Sequence, residues 1–158
     1  MSKTLLLKVL TPEKTVFEAP VDAVQVELLA EAPSNAPKKV PSSLDNILLP
    51  RGERIQFLAG HQALAAPMAI SVLKATLNGQ NLFLTLMGGQ CITDGDTVTV
   101  LSDAAELGSD IDEARAHEAK ARAESRLKER SETLDVLRAE QALFRSLTRL
   151  QAASLMKL

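Results

Sequence analysis

Residues 109–128, SDIDEARAHEAKARAESRLK, mark the place where the chain changes its periodicity. They contain neither Gly nor Pro, and both stay absent from Ser109 to Leu158. Ala, Leu, Glu, Arg and Lys dominate this segment, all strong helix formers. Ser109 or Asp110 can cap the start, and acidic residues follow in the first turn, where the helix dipole favours them. Ala116, Ala119, Ala123 and Leu127 form a narrow face of small residues, which lets a partner helix approach closely but buries little area. Further on, Leu143, Leu147 and Leu150 follow the i, i+4, i+7 spacing of a core-facing stripe. Ser131 or Thr133 can cap a second helix, so the pattern predicts a helical hairpin. The turn, Arg130 to Thr133, holds no obligatory breaker, and one continuous helix is a permitted alternative.

Before Gly108 the rhythm is that of strands. Leu5, Leu7 and Val9 share one face of a first strand, closed by Thr11-Pro12. Val24, Val26 and Leu28 alternate with Gln25 and Glu27. Ile70, Val72 and Leu73 begin a strand that runs to Asn78-Gly79, a dipeptide suited to the two positive-φ positions of a type I′ hairpin. Leu82 to Leu86 forms the return strand. Asp94-Gly95 gives a second turn signal before Val98, Val100 and Leu101. Short strands spaced by turns predict a sandwich or barrel. The chain is therefore expected to be α+β, with a β-sandwich over residues 1–105 and a two-helix unit over 106–158.

Residues 29–54 interrupt the strand pattern. Pro33, Pro37 and Pro41 fall among small residues, and proline removes ladder donors, so a long Pro-rich insertion is expected. Such loops inside compact domains are often functional. Leu44 to Leu49 can still pack back onto the sandwich.

Composition narrows the function. The 158 residues carry 18 Lys+Arg against 20 Asp+Glu, a net charge of −2, without the basic excess of a nucleic-acid coat. Aromatics are 3%, with no Trp or Tyr, which disfavours base-stacking platforms. Apolar residues reach 46%, too many for a disordered chain, yet no run approaches the ~20 needed to span a bilayer. Cys91 is the single cysteine, so internal disulfides and multi-thiolate metal sites are excluded. It is expected to be a small buried hydrophobe. The first residues form no secretory signal, and a cytoplasmic chain is expected.

Catalytic motifs are sparse. There is no Walker-type loop and no His-Glu-x-x-His, and His61 and His117 lie in different halves. His61 is expected at a turn or on the surface, and Gly88-Gly89 at a bend or bulge in a strand. Charge on the helical half is patterned instead. Glu118–Arg122 and Glu124–Lys128 have ion-pair spacing, whereas Arg122, Arg126 and Arg130 stack like charges, as do Arg145 and Arg149. From Gln141 onward Arg145, Arg149 and Lys157 are basic and no residue is acidic. Acids on the first helix can answer them, or an anionic partner can.

These residues carry a resemblance. Leu7-Lys8-Val9-Leu10-Thr11-Pro12-Glu13-Lys14 with Val16-Phe17-Glu18, then Val21 to Val24, Gly60-His61, Gly88-Gly89, Val98 to Asp103 and Ala105-Glu106 follow one family's order. Asp110-Ile111-Asp112-Glu113-Ala114-Arg115-Ala116 is similar to its Ile/Leu-Asp-x-x-Arg-Ala signature. The chain thus resembles the ε-subunit family of bacterial F-type ATP synthases over nearly its whole length, residues 29–54 excepted. The resemblance implies a sandwich of about ten strands and a C-terminal helical hairpin. It also implies a non-catalytic rotor subunit at the cytoplasmic face of the inner membrane, peripheral to it, with the γ subunit and the c-ring as partners. The extended helices would meet the catalytic β subunits and inhibit ATP hydrolysis. No metal and no nucleic acid are implied.

Some family members bind ATP on the folded hairpin without hydrolysing it. The matching positions here are Glu106, Ile111, Asp112, Arg115, Ala116, Arg122, Arg145 and Arg149. Ile111 and Ala116 would flank the adenine, and Arg122, Arg145 and Arg149 would neutralise phosphates through forked donors. Asp112 can instead cap the helix or pair with Arg115. ATP would be a regulatory ligand and no cofactor is required. Two departures stand out: the 29–54 insertion where the family has a compact Gly-rich turn, and Ala59 with Gln62-Ala63 around Gly60-His61, where Pro-Gly-His-Ala-Pro is usual. Both lie near the edge that meets the c-ring in the family, so the ring contact is expected to differ. The alternative readings are a stand-alone ATP-sensing domain and a structural adaptor.

Overall fold

The computed structural model describes residues 3–29, 51–129 and 135–158. Among the described residues eight strands come first, where the resemblance implied about ten. They are β1 (Leu5–Leu10), β2 (Thr15–Val21), β3 (Ala23–Leu29), β4 (Arg51–Phe57), β5 (Leu64–Leu77), β6 (Gln80–Thr93), β7 (Thr97–Leu101) and β8 (Ala105–Leu107). A 3-10 turn at Gly108–Asp110 leads into α1 (Glu113–Glu129) and α2 (Val136–Leu155).

Hydrogen bonding runs in the order β2-β1-β7-β6-β5-β3-β4, with β8 also on β6. β1 and β7 are parallel; every other pairing is antiparallel. One continuous path makes two facing layers because β6 changes partners along its length. Leu84–Leu86 pair with β8, whereas Gln90–Thr93 pair with β7. Between these stretches lie Gly88 and Gly89, both at positive φ, the bend expected from that dipeptide. A Cβ on Gly89 would collide with the Leu101 carbonyl oxygen, so the crossing requires glycine there. β2 packs on β5 and β8 across the interior without pairing to either. The result is an open sandwich.

Alternation fills the space between the layers. Leu5, Leu7 and Val9 are all buried, as are Val24 and Val26, Leu73, Leu84, Leu86, Val98 and Val100. Each such side chain stabilises the fold by roughly 1.5–3 kcal/mol relative to exposure. Cys91 belongs to this core, 1% exposed, and burial pushes its thiol up to about 11. The Asn78-Gly79 hairpin has φ of 50° and 78°, as a type I′ turn demands. His61 sits beyond β4 with its ring edge-on to Phe57, centroids 5.0 Å apart, and its Nδ1 lies 3.0 Å from the Gln62 carbonyl oxygen. At the facing turn the Gly60 amide donates to the Gly95 carbonyl at 2.8 Å.

The interrupted region resolves at both borders. β3 runs to Leu29, and β4 begins at Arg51, a strand the Pro-rich surroundings obscured. The insertion's proline-bearing residues, and Leu44 to Leu49, lie outside the described residues.

The helices fold back as a hairpin. Ala123 and Leu127 of α1 bury against Ala139 and Leu143 of α2, with Val136 and Ala142 beside them. At the far end Lys157 pairs with Glu113 at 2.6 Å, so the helices run antiparallel. The cap of α1 is the one offered as an alternative role for Asp112, and that of α2 differs from expectation. α1 starts on Asp112, whose Oδ1 accepts the Arg115 amide at 3.1 Å, while Ser109 and Asp110 belong to the preceding 3-10 turn. α2 starts on Asp135, which accepts the Arg138 amide at 3.1 Å. The residues named as alternatives, Ser131 and Thr133, fall with the interhelical turn outside the described residues. Leu143 enters the core, but Leu147 does not: it is 39% exposed and faces the sheet.

Candidate functional site

The hairpin rests on the outside of the sandwich through α2, and among the described residues one ion pair bridges the two. Glu106 lies on β8. Its amide donates to Thr85 Oγ1 at 3.2 Å, which anchors the backbone and leaves the carboxylate directed away from the ladder. Arg149 of α2 reaches it: Nε donates to Glu106 Oε1 at 2.9 Å, with the two side chains 29% and 37% exposed. A charge-assisted contact with that exposure contributes modestly to stability and responds to salt.

Two residues further along, Gly108 lets the end of α2 approach the chain. A Cβ there would stand 2.9 Å from the Ala152 carbonyl oxygen, 2.6 Å from Met156 Cγ and 3.2 Å from the Phe83 carbonyl oxygen. Helix backbone therefore lies directly on strand and turn backbone, a distance only glycine allows. Lys157 and Glu113 close the same end of the hairpin.

Of the eight positions singled out from sequence, Glu106 and Arg149 are brought into direct contact. Asp112 and Arg115 also meet, through the capping bond to the Arg115 amide, and the Ala116 amide donates to the Asp112 carbonyl at 3.0 Å. Asp112 is thus a helix cap. Ile111 closes the 3-10 turn and is half-buried. Ala116 is 3% exposed, with its methyl covered. Arg115 and Arg122 project from exposed positions of α1, and Arg145 is half-buried on α2. Among the described residues none of these three arginines forms an ion pair, whereas Arg149 does. The spacing pairs expected on α1 are replaced by Lys120–Glu124 at 3.9 Å. Arg115 thus stands in the first turn of α1, and Arg149 of α2 is held by a carboxylate of β8.

Sequence reasoning missed Gly108, Glu113 and Lys157 as parts of this junction. Gly108 was visible only as a boundary glycine, because nothing nearby in the chain reports that α2 returns to cover it. It also missed a cleft of about 370 Å³ between α2 and β5, lined by none of the eight positions.

Comparison with known proteins agrees with this architecture. The family model described as "ATP synthase, Delta/Epsilon chain, long alpha-helix domain" matches residues 109–154. The chain is 37% identical over 148 residues to the ATP synthase epsilon chain of Symbiobacterium thermophilum, covering 93% of this chain and 91% of that one. It is 36% identical over 151 residues to the ATP synthase epsilon chain of Halalkalibacterium halodurans, covering 95% and 97%. Among solved structures it superposes on a chain of the Euglena gracilis mitochondrial ATP synthase OSCP/F1/c-ring assembly. That match has a TM-score of 0.69 at 17% identity and covers 97% of this chain and 82% of the other, a likeness of fold.

Proposed function

The chain belongs to the ATP synthase epsilon-chain family, and from that premise we propose that it is a non-catalytic central-stalk subunit whose C-terminal hairpin restrains ATP hydrolysis. In the docked state the hairpin is inert; released and extended, it opposes turnover at the catalytic β subunits. The observation that carries this reading is how the hairpin is held. Its contact with the sandwich combines a half-exposed ion pair, Arg149–Glu106, with a glycine-dependent backbone approach at Gly108. The helix pair itself closes on Ala123, Ala139 and Ala142 together with Leu127, Leu143 and Val136. The three alanines forfeit little buried area on separation, which narrows the free-energy gap between docked and released states that a ligand would have to bridge.

ATP is the proposed ligand of the docked state. Arg122, Arg145 and Arg149 would hold its phosphates, and Glu106 would keep Arg149 in place until a phosphate competes for it. The sandwich would bind the γ subunit and meet the c-ring, placing the chain peripherally at the cytoplasmic face of the membrane. No described helix is long and apolar enough to cross a bilayer.

Three experiments test the reading. Co-purification of the tagged chain should carry γ and c subunits; their absence contradicts the stalk role. Calorimetry of the isolated chain should show ATP binding that an Arg145→Ala, Arg149→Ala double variant loses. No binding at millimolar ATP removes the nucleotide part, and ATP turnover by the isolated chain contradicts a non-catalytic subunit.

A further inference from the structure

Along β5 the residues alternate between two surfaces. Ser71, Leu73 and Ala75 turn into the sandwich, while Ile70, Val72 and Lys74 turn outward beneath α2. On the helix Phe144, Leu147, Thr148, Gln151 and Leu155 recur at the spacing of one face and look back at the sheet. The two surfaces do not close on each other: they leave the cleft of about 370 Å³. That volume is in the range of small-molecule sites, roughly 300–1,000 Å³. Leu147 remains 39% exposed although it stands on the sheet-facing side of the helix, so apolar wall is present without a filler.

The charges at the cleft are unequal. Glu27 and Arg54 sit opposite each other on β3 and β4 and satisfy one another, Arg54 Nε to Glu27 Oε1 at 3.1 Å. Lys74 is the third charged residue on the wall. It lies in register between Gln25 of β3 and Phe83 of β6, both neutral, and among the described residues it forms no ion pair. The lining therefore combines one unanswered cation with an adjoining aromatic and aliphatic surface.

We propose that this cleft binds a small amphiphilic carboxylate, its headgroup on Lys74 and its apolar body between Val72 and Leu147. A neutral apolar molecule would leave the ammonium unanswered, and an inorganic anion would leave the apolar walls wet. The site uses none of the residues assigned to nucleotide, so it stands or falls separately from that reading. Its walls belong to both the sheet and α2. A molecule bound there gains its full contact only when the hairpin is docked, and mass action then favours docking.

Octanoate is a suitable probe, titrated calorimetrically into the full-length chain, with 1-octanol as the uncharged control. Octanoate should bind saturably at one site and slow hydrogen exchange of the α2 amides. Lys74→Met, which keeps the alkyl stem, should weaken octanoate about tenfold, the loss of one charge-assisted contact, and leave octanol unchanged. Leu147→Trp, a change at an exposed helix position, should fill the cleft and remove octanoate binding. Failure to bind millimolar octanoate, equal affinity in Lys74→Met, or equal affinity for octanol and octanoate overturns the proposal. Lys74→Met decides the question even where Leu147→Trp perturbs the helix.

Discussion

Arg149 on α2 donates its Nε hydrogen to Glu106 on β8 across 2.9 Å, joining residues 43 apart in sequence and the helical unit to the sandwich. With both side chains about a third exposed, the pair is placed to guide docking more than to enforce it. Removing it by Arg149→Ala should weaken hairpin docking by ~0.2–1 kcal/mol, and the loss should shrink in high salt. A double-mutant cycle with Glu106→Gln, read by hydrogen exchange of α2, measures the coupling. A coupling that does not change with ionic strength contradicts an exposed electrostatic tie.

Gly108 should matter more than the ion pair. Gly108→Ala places a methyl against two backbone carbonyls and Met156, groups that cannot all step aside. Overpacking of this kind costs about 1–3 kcal/mol. Because the conflict involves α2, exchange should accelerate across α2 while amides of β1 and β7 keep their protection. Equal acceleration in both units would show that the glycine supports the sandwich instead.

The caps offer a local control. Asp112→Ala and Asp135→Ala each remove a side-chain acceptor from a helix start and should cost ~1 kcal/mol of helix stability. Asn at either position should restore most of it. Helical circular dichroism through a thermal melt reports the change. An Asn variant as unstable as Ala would mean that the backbone, not the side chain, sets the start.

Acid should act on the turn between β6 and β7. Asp94 Oδ1 accepts the Thr97 amide at 2.8 Å and the Asp96 amide at 3.0 Å, and these bonds hold its carboxyl below the usual 3.8. A lowered native value contributes stability above the unfolded value, and that contribution is lost as pH falls through the native one. Urea midpoints should therefore decline below about pH 4, and Asp94→Asn, which keeps an acceptor without a titrating charge, should flatten that decline. Identical acid profiles for the two chains would rule the turn out as a source.

How much of this was legible beforehand follows the range of each interaction. Leu5, Leu7 and Val9, the Asn78-Gly79 turn and the Gly88-Gly89 bend were readable because strand period and turn chemistry are local. β4 was not, although Ile55 and Phe57 alternate with Arg54 and Gln56, because a Pro-rich segment precedes it. Leu147 had the spacing of a core residue, but helical period specifies a face and not what covers it. The eight candidate site positions came from the resemblance, among them Glu106 and Arg149. Their contact depends on how α2 docks, as does the closeness of Gly108 to Ala152, and no local pattern encodes that.

The central claim is that release of the hairpin restrains ATP hydrolysis. The most direct measurement is the hydrolysis rate of the complete ATP synthase assembled with Gly108→Ala, compared with wild type under conditions where exchange shows α2 released. The account predicts slower hydrolysis in the variant. A rate equal to or above wild type, with the hairpin released and the subunit assembled, would contradict it.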